Sequence, residues 1–280
     1  MPFGRPRANC DMYREDNPAG MNFFESSRTR IVGHRGSPTK ALENTFESFD
    51  RAEADGADAF ELDVRLTLDG EAVVHHDAEV VLAGRRLPLA TLTIPELNAT
   101  PIVRGELQGF VPTLRDVFLR YGPSGRYLVE LKPGPSPRPS LLEFRVAALL
   151  AQLALLEKAV VLSFLPDALR RIREIEPRVA TCLNYDGTVH RPEGQLWPDL
   201  PKGCTAIGPN VALVSDALFP RAKAAGLSVH VWTVNDPALA AHLARQGAAS
   251  VISDDVSVTG PAIRDVTGAP APLDIARGVT

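Results

Sequence analysis

The 280-residue sequence lacks the features that mark several specialised classes of protein. Its three cysteines, Cys10, Cys182 and Cys204, are scattered and form neither an even disulfide set nor a C-x-x-C metal pair. This usage argues against a sulfur-ligated zinc site and favours a reducing compartment. No apolar run approaches the roughly 18 residues of a membrane-spanning helix, and the first thirty residues contain no apolar segment typical of a secretory signal. We therefore expect a soluble, cytoplasmic protein without stable membrane insertion.

The chain also lacks an excess of positive charge. Lysine and arginine number 30 and aspartate and glutamate 34, so the formal net charge is −4. Because nucleic acids attract strongly basic surfaces, this balance predicts no nucleic-acid partner. Hydrophobic residues make up 45% of the chain and charged residues 23%, proportions that match an ordinary globular protein and exclude a disordered or fibrous one.

Short apolar segments alternate along the chain with segments that carry helix-capping signals. Alternation of strands and helices implies a parallel sheet, and eight such units in a chain of this length favour a closed (β/α)8 barrel, the TIM barrel of the α/β class. An open Rossmann sheet is the alternative, weakened because no G-x-G-x-x-G follows any strand. The predicted strands are 30–33, 59–64, 127–131, 160–164, 180–184, 205–208, 229–234 and 250–253.

The two ends of the chain differ from its middle. Residues 1–29 form a polar arm, and residues 259–280 alternate Gly, Pro, Ala and single charges without a period, which predicts a loose tail. Residues 30–258 are therefore expected to hold the barrel. Asn44, with Glu47 three positions later, is predicted to cap its first helix.

An apolar segment follows the second predicted strand too closely for a parallel crossover, which needs about a dozen residues. Between the two lies Asp69-Gly70, a pair that is typical of β-hairpin turns. A turn centred on this pair would place Asp63 opposite His76, with their side chains about 5 Å apart. A slip of one residue would place His75 there instead.

Acidic residues lie near the ends of two predicted strands. Glu61 and Asp63 point to one face of their strand because side chains alternate, and Glu130 stands two positions before Lys132 in the same way. The carboxyl ends of barrel strands meet at one mouth, so the three carboxylates are predicted to converge. A bound divalent cation would keep all three ionised, and oxygen-only ligation favours Mg²⁺ or Ca²⁺ over Zn²⁺. The alternative is a structural ion-pair network with arginines.

Two histidines are predicted at the same mouth. His34 follows the first strand, and His76 closes the hairpin. An isolated histidine is more often structural than catalytic, but two histidines beside carboxylates favour a role in proton transfer. Arg35 and Lys132 add the fixed positive charge that a phosphoryl oxygen needs.

Taken in order, these segments resemble the glycerophosphodiester phosphodiesterase family. No single segment is specific, but the ordered set is, and it extends from about residue 30 to about residue 255. The matching segments are His34-Arg35-Gly36, Glu43-Asn44-Thr45, Glu61-Leu62-Asp63-Val64, Thr67 with Asp69-Gly70, Val73-Val74 before His76-Asp77, Val111-Pro112-Thr113-Leu114, Val129-Glu130-Leu131-Lys132, Ser163-Phe164 and Val231-Trp232-Thr233-Val234-Asn235.

The resemblance implies a TIM barrel that hydrolyses small-molecule glycerophosphodiesters to sn-glycerol 3-phosphate and an alcohol. It also implies one divalent cation, Mg²⁺ or Ca²⁺. Each role is assigned to the residue of this sequence that occupies the matching position in a family motif. The implied residues are the metal ligands Glu61, Asp63 and Glu130, the acid/base pair His34 and His76, the phosphate-binding Arg35 and Lys132, the motif acid Glu43, and Trp232 as the aromatic wall of the substrate pocket.

Within the motif, His76 rather than His75 matches the family histidine, because it directly precedes Asp77. The expected hairpin register agrees, and His75 would then face the opposite side of the barrel. After Asp77 the chain departs from the family. The stretch at about residues 77–110 takes the position of the family's small insertion but lacks its usual Arg-Thr-Thr-like segment. The resemblance therefore leaves the identity of the alcohol open.

Two other functions are compatible with the sequence. A lysophospholipase D-like activity on lysolipids would lay a lipid tail over apolar residues of the insertion, such as Val80, Val81, Leu82, Phe110 and Val111. A non-catalytic barrel would bind phosphodiesters without cleaving them, although an inert descendant is expected to lose at least one matched polar residue. The sequence does not choose which histidine is the acid, or whether water or the substrate's neighbouring hydroxyl is the nucleophile.

Overall fold

The structure is a computed structural model that describes residues 28–132, 134 and 141–268. Most of the predicted N-terminal arm, including Cys10, lies outside these residues, as does the end of the predicted tail. In the described part of the chain, no helix is both long enough and apolar enough to cross a membrane.

Eight parallel strands in the described residues close into a barrel, as the alternation of segments predicts. The first strand pairs with both the second and the last, which closes the ring. Apolar side chains fill the interior, among them Val32, Leu128, Leu162 and Ile252. All strands of the described residues are numbered in chain order, including five that lie outside the barrel and are described below. The barrel strands are β1 Arg30–His34, β2 Ala59–Leu66, β8 Tyr127–Leu131, β9 Ala159–Ser163, β10 Ala180–Tyr185, β11 Ala206–Pro209, β12 Ser228–Val231 and β13 Ser250–Ser253.

Helices pack their apolar faces on the outside of these strands. In the first helix, the Phe49 ring lies 5.3 Å from the ring of Phe60 on β2. The helices around the barrel are α1 Phe46–Ala54, α3 Leu114–Tyr121, α4 Leu141–Gln152, α5 Pro166–Ile175, α6 Leu218–Ala224, α7 Pro237–Gln246 and α8 Val256–Thr267.

The N-cap of α1 is one residue later than expected. The side chain of Thr45 accepts a hydrogen bond from Ser48 N and thereby caps the helix. Asn44, the predicted cap, has a positive φ of 58° and does not cap α1. Its amide is directed to the carboxyl ends of the strands, where it contacts Asp63.

The predicted hairpin is present, but its register is one residue away from the expected one. The strand β3, Ala72–Val74, pairs antiparallel with β2, and His75 N donates to Asp63 O at 2.9 Å. His75 therefore lies opposite Asp63, and the expected pairing of Asp63 with His76 is wrong. The register consequently gives no independent support for choosing His76.

The turn of the hairpin explains the shift. Thr67 N donates to Glu71 O at 3.1 Å, so three residues rather than two lie between the closing pair. Gly70 takes the left-handed conformation with φ 81°, which a three-residue hairpin loop requires. Asp69 Oδ1 accepts a hydrogen bond of 2.6 Å from the Thr67 hydroxyl and stabilises the longer turn.

The predicted insertion folds into a small antiparallel sheet, which the sequence pattern does not predict. Its inner face buries a compact apolar cluster that includes Val80, Leu82 and Leu97. The strands have only three or four residues, which is too short for a clear alternation of apolar and polar positions. The elements are β4 Glu79–Leu82, β5 Arg85–Pro88, α2 Ile94–Leu97, β6 Ile102–Arg104 and β7 Leu107–Gly109.

The last helix extends into the predicted loose tail. Helix α8 continues to Thr267, and its residues Thr259 and Ile263 are buried, so a tail beginning at residue 259 is wrong. Gly260-Pro261, a pair that usually interrupts helices, hides the helical spacing of the buried residues. Residues 269–280 lie outside the described part of the chain.

Candidate active site

Four of the predicted site residues lie on three neighbouring barrel strands. His34 ends β1, Glu61 and Asp63 belong to β2, and Glu130 belongs to β8. The parallel register places His34 beside Glu61 and Asp63 beside Glu130. Because paired strands are about 4.8 Å apart, side chains on one face of these pairs can touch.

Three carboxylates converge at the carboxyl ends of β2 and β8. One oxygen each from Glu61, Asp63 and Glu130 lies within 4.8 Å of the other two. All three residues are buried, with 4%, 1% and 7% of their surface exposed. The structure thus brings together the three acids that the strand pattern predicts.

Two cationic side chains lie against this acidic cluster. Arg35 Nε is 3.2 Å from Asp63 Oδ2, and the backbone N–H of Arg35 donates to Glu61 Oε2 at 3.1 Å. Lys132 Nζ lies 2.6 Å from Glu130 Oε1 and 3.3 Å from Asp63 Oδ1. Together, these two cations face three carboxylates.

Burial and mutual repulsion affect the acids unequally. Burial and the charge of Asp63 raise the pKa of Glu61 from 4.5 to about 8, and the same two causes raise the pKa of Glu130. Burial would also raise the pKa of Asp63, but the charges of Lys132 and Arg35 outweigh it and lower the pKa overall. When all three are ionised, the carboxylates therefore carry more negative charge than Arg35 and Lys132 neutralise.

The donor set fits a hard divalent cation. Three carboxylate oxygens at this mutual distance are the ligands that Mg²⁺ and Ca²⁺ take in proteins. A dication would also keep Glu61 ionised, because it offsets the repulsion by Asp63 that raises the pKa of Glu61. Thus, Glu61, Asp63 and Glu130 could hold one such ion.

His34 lies between this cluster and a carboxylate outside it. Its Nε2 is 3.9 Å from Glu61 Oε2, and its Nδ1 is 2.6 Å from Asp254 Oδ1. Burial lowers the pKa of His34, but the bond to Asp254 and the charge of Glu61 outweigh burial and raise it above its ordinary value. Its two ring nitrogens therefore face different carboxylates.

The neighbouring histidines of the hairpin differ in their surroundings. His76 is half-buried and binds Asp77 Oδ1 through Nδ1 at 2.8 Å. Burial is the main cause that lowers its pKa, and the charges of Asp63, Lys132 and Arg35 also act on it. Burial lowers the pKa of His75 to about 4. The charge of Asp63 thus acts on both histidines, while the charges of Lys132 and Arg35 act on His76.

Trp232 belongs to an aromatic pair beside Lys132. Its ring meets the ring of Phe164 edge-on at 5.5 Å, and its Nε1 donates to Gly208 O at 2.8 Å. Lys132 Nζ lies 5.7 Å from the centre of the Phe164 ring. The aromatic residue that the resemblance implies is therefore linked to the cationic side of the site through Phe164.

Comparison with known proteins decides the family. The sequence model of the glycerophosphoryl diester phosphodiesterase family matches residues 34–258. The chain belongs to this family. This membership confirms the family, the TIM-barrel fold and the enzyme class, a phosphoric diester hydrolase, that the sequence predicts.

Individual relatives match this phosphodiesterase over most of its chain. YhdW of Bacillus subtilis, a candidate glycerophosphodiester phosphodiesterase, is 31% identical over 237 residues, which cover 80% of this chain and 93% of YhdW. The glycerophosphodiester phosphodiesterase of Caldanaerobacter subterraneus is 27% identical, with 81% and 95% covered. A crystal structure of a candidate glycerophosphoryl diester phosphodiesterase from Silicibacter pomeroyi is similar, with a TM-score of 0.76, 26% identity, and 85% and 94% covered.

Several polar residues at the site of this phosphodiesterase are not identified by the sequence pattern. Asn44 donates to Asp63 Oδ2 at 2.9 Å, and Asn184 Nδ2 lies 3.5 Å from Glu130 Oε2. Asp254 directly follows β13, so the carboxyl-end rule that identifies the other acids could also have identified it.

Glu43 reaches the site through Arg35. Its Oε1 accepts a hydrogen bond of 2.8 Å from Arg35 Nη1, and its Oε2 lies 3.4 Å from Arg104 Nη1 on β6. The motif acid thus connects the phosphate-binding candidate to the insertion. Both Glu43 and Arg35 line a depression of about 330 Å³ together with His34 and Asp254.

Proposed function

We propose that this protein hydrolyses glycerophosphodiesters to sn-glycerol 3-phosphate and an alcohol, with the aid of one divalent cation and two histidines. The observation that carries the proposal is a buried cluster of three carboxylates with cationic side chains and His34 at its edge. Membership in the family supports this reaction, and the Caldanaerobacter relative is named a glycerophosphodiester phosphodiesterase.

In this proposal the chain binds the phosphate by positive charge. Glu61, Asp63 and Glu130 would hold Mg²⁺ or Ca²⁺, which when bound supplies positive charge to the phosphate oxygens. Arg35 and Lys132 orient the phosphate and offset the negative charge that grows in the transition state. The aromatic pair beside Lys132 provides an apolar wall for the carbon skeleton of the substrate.

The two histidines move protons. One accepts a proton from the nucleophile, which is either water or the substrate hydroxyl next to the phosphate, and the other donates a proton to the leaving alcohol oxygen as its bond to phosphorus breaks. If the substrate hydroxyl attacks, a cyclic phosphate forms first and water then opens it to glycerol 3-phosphate. Each transfer contributes about 10²–10⁴-fold to the rate. His34 and His76 are the candidates because they match the family motifs and because the charges of the acidic cluster act on both.

The structure favours small diesters over lysolipids. The lipid-tail hypothesis places the tail over apolar residues of the insertion, for which the sequence offers five examples, but Val80, Leu82 and Val111 are buried in its core. Only Val81 and Phe110 of the five are exposed. A small-molecule substrate, a cytoplasmic location and the lack of a nucleic-acid partner stay predictions.

A substrate panel tests the proposal. The protein is treated with EDTA and then assayed on several glycerophosphodiesters and one lysolipid, with Mg²⁺, Ca²⁺ or Zn²⁺ added back. We expect release of glycerol 3-phosphate from the diesters only after Mg²⁺ or Ca²⁺ is restored. Faster cleavage of the lysolipid would favour the lipid alternative.

Two variants control for the non-catalytic alternative. Glu61→Ala removes one carboxylate of the cluster and is expected to abolish release of glycerol 3-phosphate. Glu71→Gln removes an acid of the hairpin turn, whose side chain is exposed, and is expected to retain activity. If Glu61→Ala is as active as the parent protein, the proposed site is wrong.

A further inference from the structure

A carboxylate from the far end of the chain binds His34. Asp254 Oδ1 lies 2.6 Å from His34 Nδ1, although the two residues are 220 positions apart in the sequence. They meet because β1 pairs with β13 where the barrel closes, and both residues stand at the carboxyl ends of these strands. Asp254 is not among the site residues that the family resemblance implies.

Asn235 holds the other side of this carboxylate. Its Nδ2 donates to Asp254 Oδ2 at 2.7 Å, while its Oδ1 accepts from the backbone N–H of Asp254 at 2.9 Å and from Ser253 Oγ at 3.2 Å. One carboxylate oxygen thus accepts from the amide and the other faces the imidazole. A carboxylate turned out of this plane would lose both contacts.

This arrangement determines which nitrogen of His34 carries a proton. An ionised carboxylate only accepts hydrogen bonds, so the short contact requires a proton on Nδ1. Nε2, on the other side of the ring, then faces Glu61 at 3.9 Å and the acidic cluster. A carboxylate behind a proton-transferring histidine selects the tautomer and the ring orientation in this way.

The next residue shows what a purely structural aspartate does at this position. Asp255 caps α8 by accepting from Ser257 N, and it binds Lys40 Nζ at 2.9 Å. Asp254, by contrast, lines the depression next to His34 and Arg35. The two adjacent carboxylates therefore have different environments, one at the site and one at a helix end.

We propose that Asp254, held by Asn235, is a positioning residue that keeps His34 Nε2 directed at the reacting phosphate group. The inference deepens the proposed function, because it assumes that His34 transfers a proton there. Its structural part, the tautomer of His34, can be measured without any substrate.

An exchange of the two polar groups tests the proposal. In Asp254→Asn, an NH₂ group facing the NH₂ of Asn235 would be unfavourable. The new amide therefore directs its oxygen to Asn235 and its NH₂ to His34 Nδ1, which must then accept a hydrogen bond. We expect kcat to fall by about 10²–10⁴-fold through the reversed tautomer, with KM and metal affinity nearly unchanged. The double variant Asn235→Asp with Asp254→Asn restores donor against acceptor at both contacts. Its kcat should recover to within about tenfold of the parent value.

Asp255→Asn is the matched control, because it makes the same chemical change one position along the chain. It should lower the thermal midpoint and leave kcat unchanged. Nitrogen-15 NMR of histidine-labelled protein, at a pH where the imidazole is neutral, should place the His34 proton on Nδ1 in the parent and in the double variant. In Asp254→Asn it should lie on Nε2.

Three results would overturn the inference: a proton on Nε2 in the parent protein, an unchanged kcat in Asp254→Asn, or no recovery in the double variant. If the parent protein cleaves none of the diesters, the proposed function fails. The NMR comparison still decides whether Asp254 positions His34, so the two failures are distinguishable.

Discussion

Asn44 Nδ2 donates a hydrogen bond of 2.9 Å to Asp63 Oδ2. Asn44 has a left-handed backbone, with φ 58°, which asparagine tolerates better than most residues. Because this bond orients one carboxylate of the acidic cluster, we predict that Asn44→Ala weakens the binding of Mg²⁺ or Ca²⁺ by about 10- to 100-fold. Isothermal titration calorimetry measures the change.

Asn44→Gly separates the hydrogen bond from backbone strain. Glycine accepts the left-handed conformation without a side chain, so this variant should lose as much metal affinity as Asn44→Ala but less stability. Full metal affinity in the glycine variant would show that the bond to Asp63 is unimportant.

The metal-free protein should become less stable as the pH rises. The pKa of Glu61 is raised from 4.5 to about 8 by burial and by Asp63, so between these values the folded protein holds a proton that the unfolded chain has released. The contribution of Glu61 to the free energy of unfolding therefore falls as the pH increases through this window. Below pH 6.5 the buried His75 and His230 oppose this fall, because burial lowers their pKa from 6.5 to about 4, so the net loss of stability is expected between about pH 6.5 and 8. Thermal unfolding of EDTA-treated protein at several pH values measures the trend.

Metal binding should release that proton. We expect the affinity for Mg²⁺ or Ca²⁺ to rise as the pH approaches 8, because the ion binds the ionised form of Glu61. Calorimetry in buffers with different ionisation enthalpies counts the released protons. Glu61→Gln removes the titrating group, and a release of equal size in this variant would contradict the assignment.

The two hairpin histidines should differ in their effect on turnover. We predict that His76→Ala lowers kcat by about 10²–10⁴-fold, because it removes one proton-transfer group, while metal affinity is retained. His75→Ala, the adjacent control, should change kcat little. The opposite result would assign the proton transfer to His75, which lies opposite Asp63 in the observed register.

The insertion should influence substrate binding through Arg104. Its Nη1 lies 3.4 Å from Glu43 Oε2 and its Nη2 donates to Pro38 O at 3.0 Å, while Glu43 holds Arg35. Because the contact is half-exposed, we predict that Arg104→Ala raises KM by only about two- to five-fold, with kcat unchanged. Steady-state kinetics on glycerophosphocholine measures the change. Arg86→Ala, an exposed arginine of the same sheet, should leave KM unchanged.

Helix α8 should be part of the cooperative barrel. Ile263 is buried, so we predict that Ile263→Ala lowers the free energy of unfolding by about 2–5 kcal/mol. Val266→Ala, at a partly exposed position of the same helix, should cost less than about 1 kcal/mol. Urea unfolding measures both values, and equal effects would indicate that the helix does not unfold with the barrel.

The sequence by itself determined the barrel and the main residues at its mouth. Strand alternation is a local property, so the positions of Glu61, Asp63 and Glu130 within their strands place them on one face before any contact is known. The same holds for His34 at the end of β1. Parallel strands end at a common edge, and the convergence of these residues follows from that rule.

Only the tertiary structure decided the details on which function depends. A third residue in the turn before Glu71 shifted the hairpin and changed the partner of Asp63. Closure of the barrel brought Asp254 to His34 across 220 positions. These contacts depend on which backbone groups pair between strands. The spacing of residues along the chain does not specify that pairing.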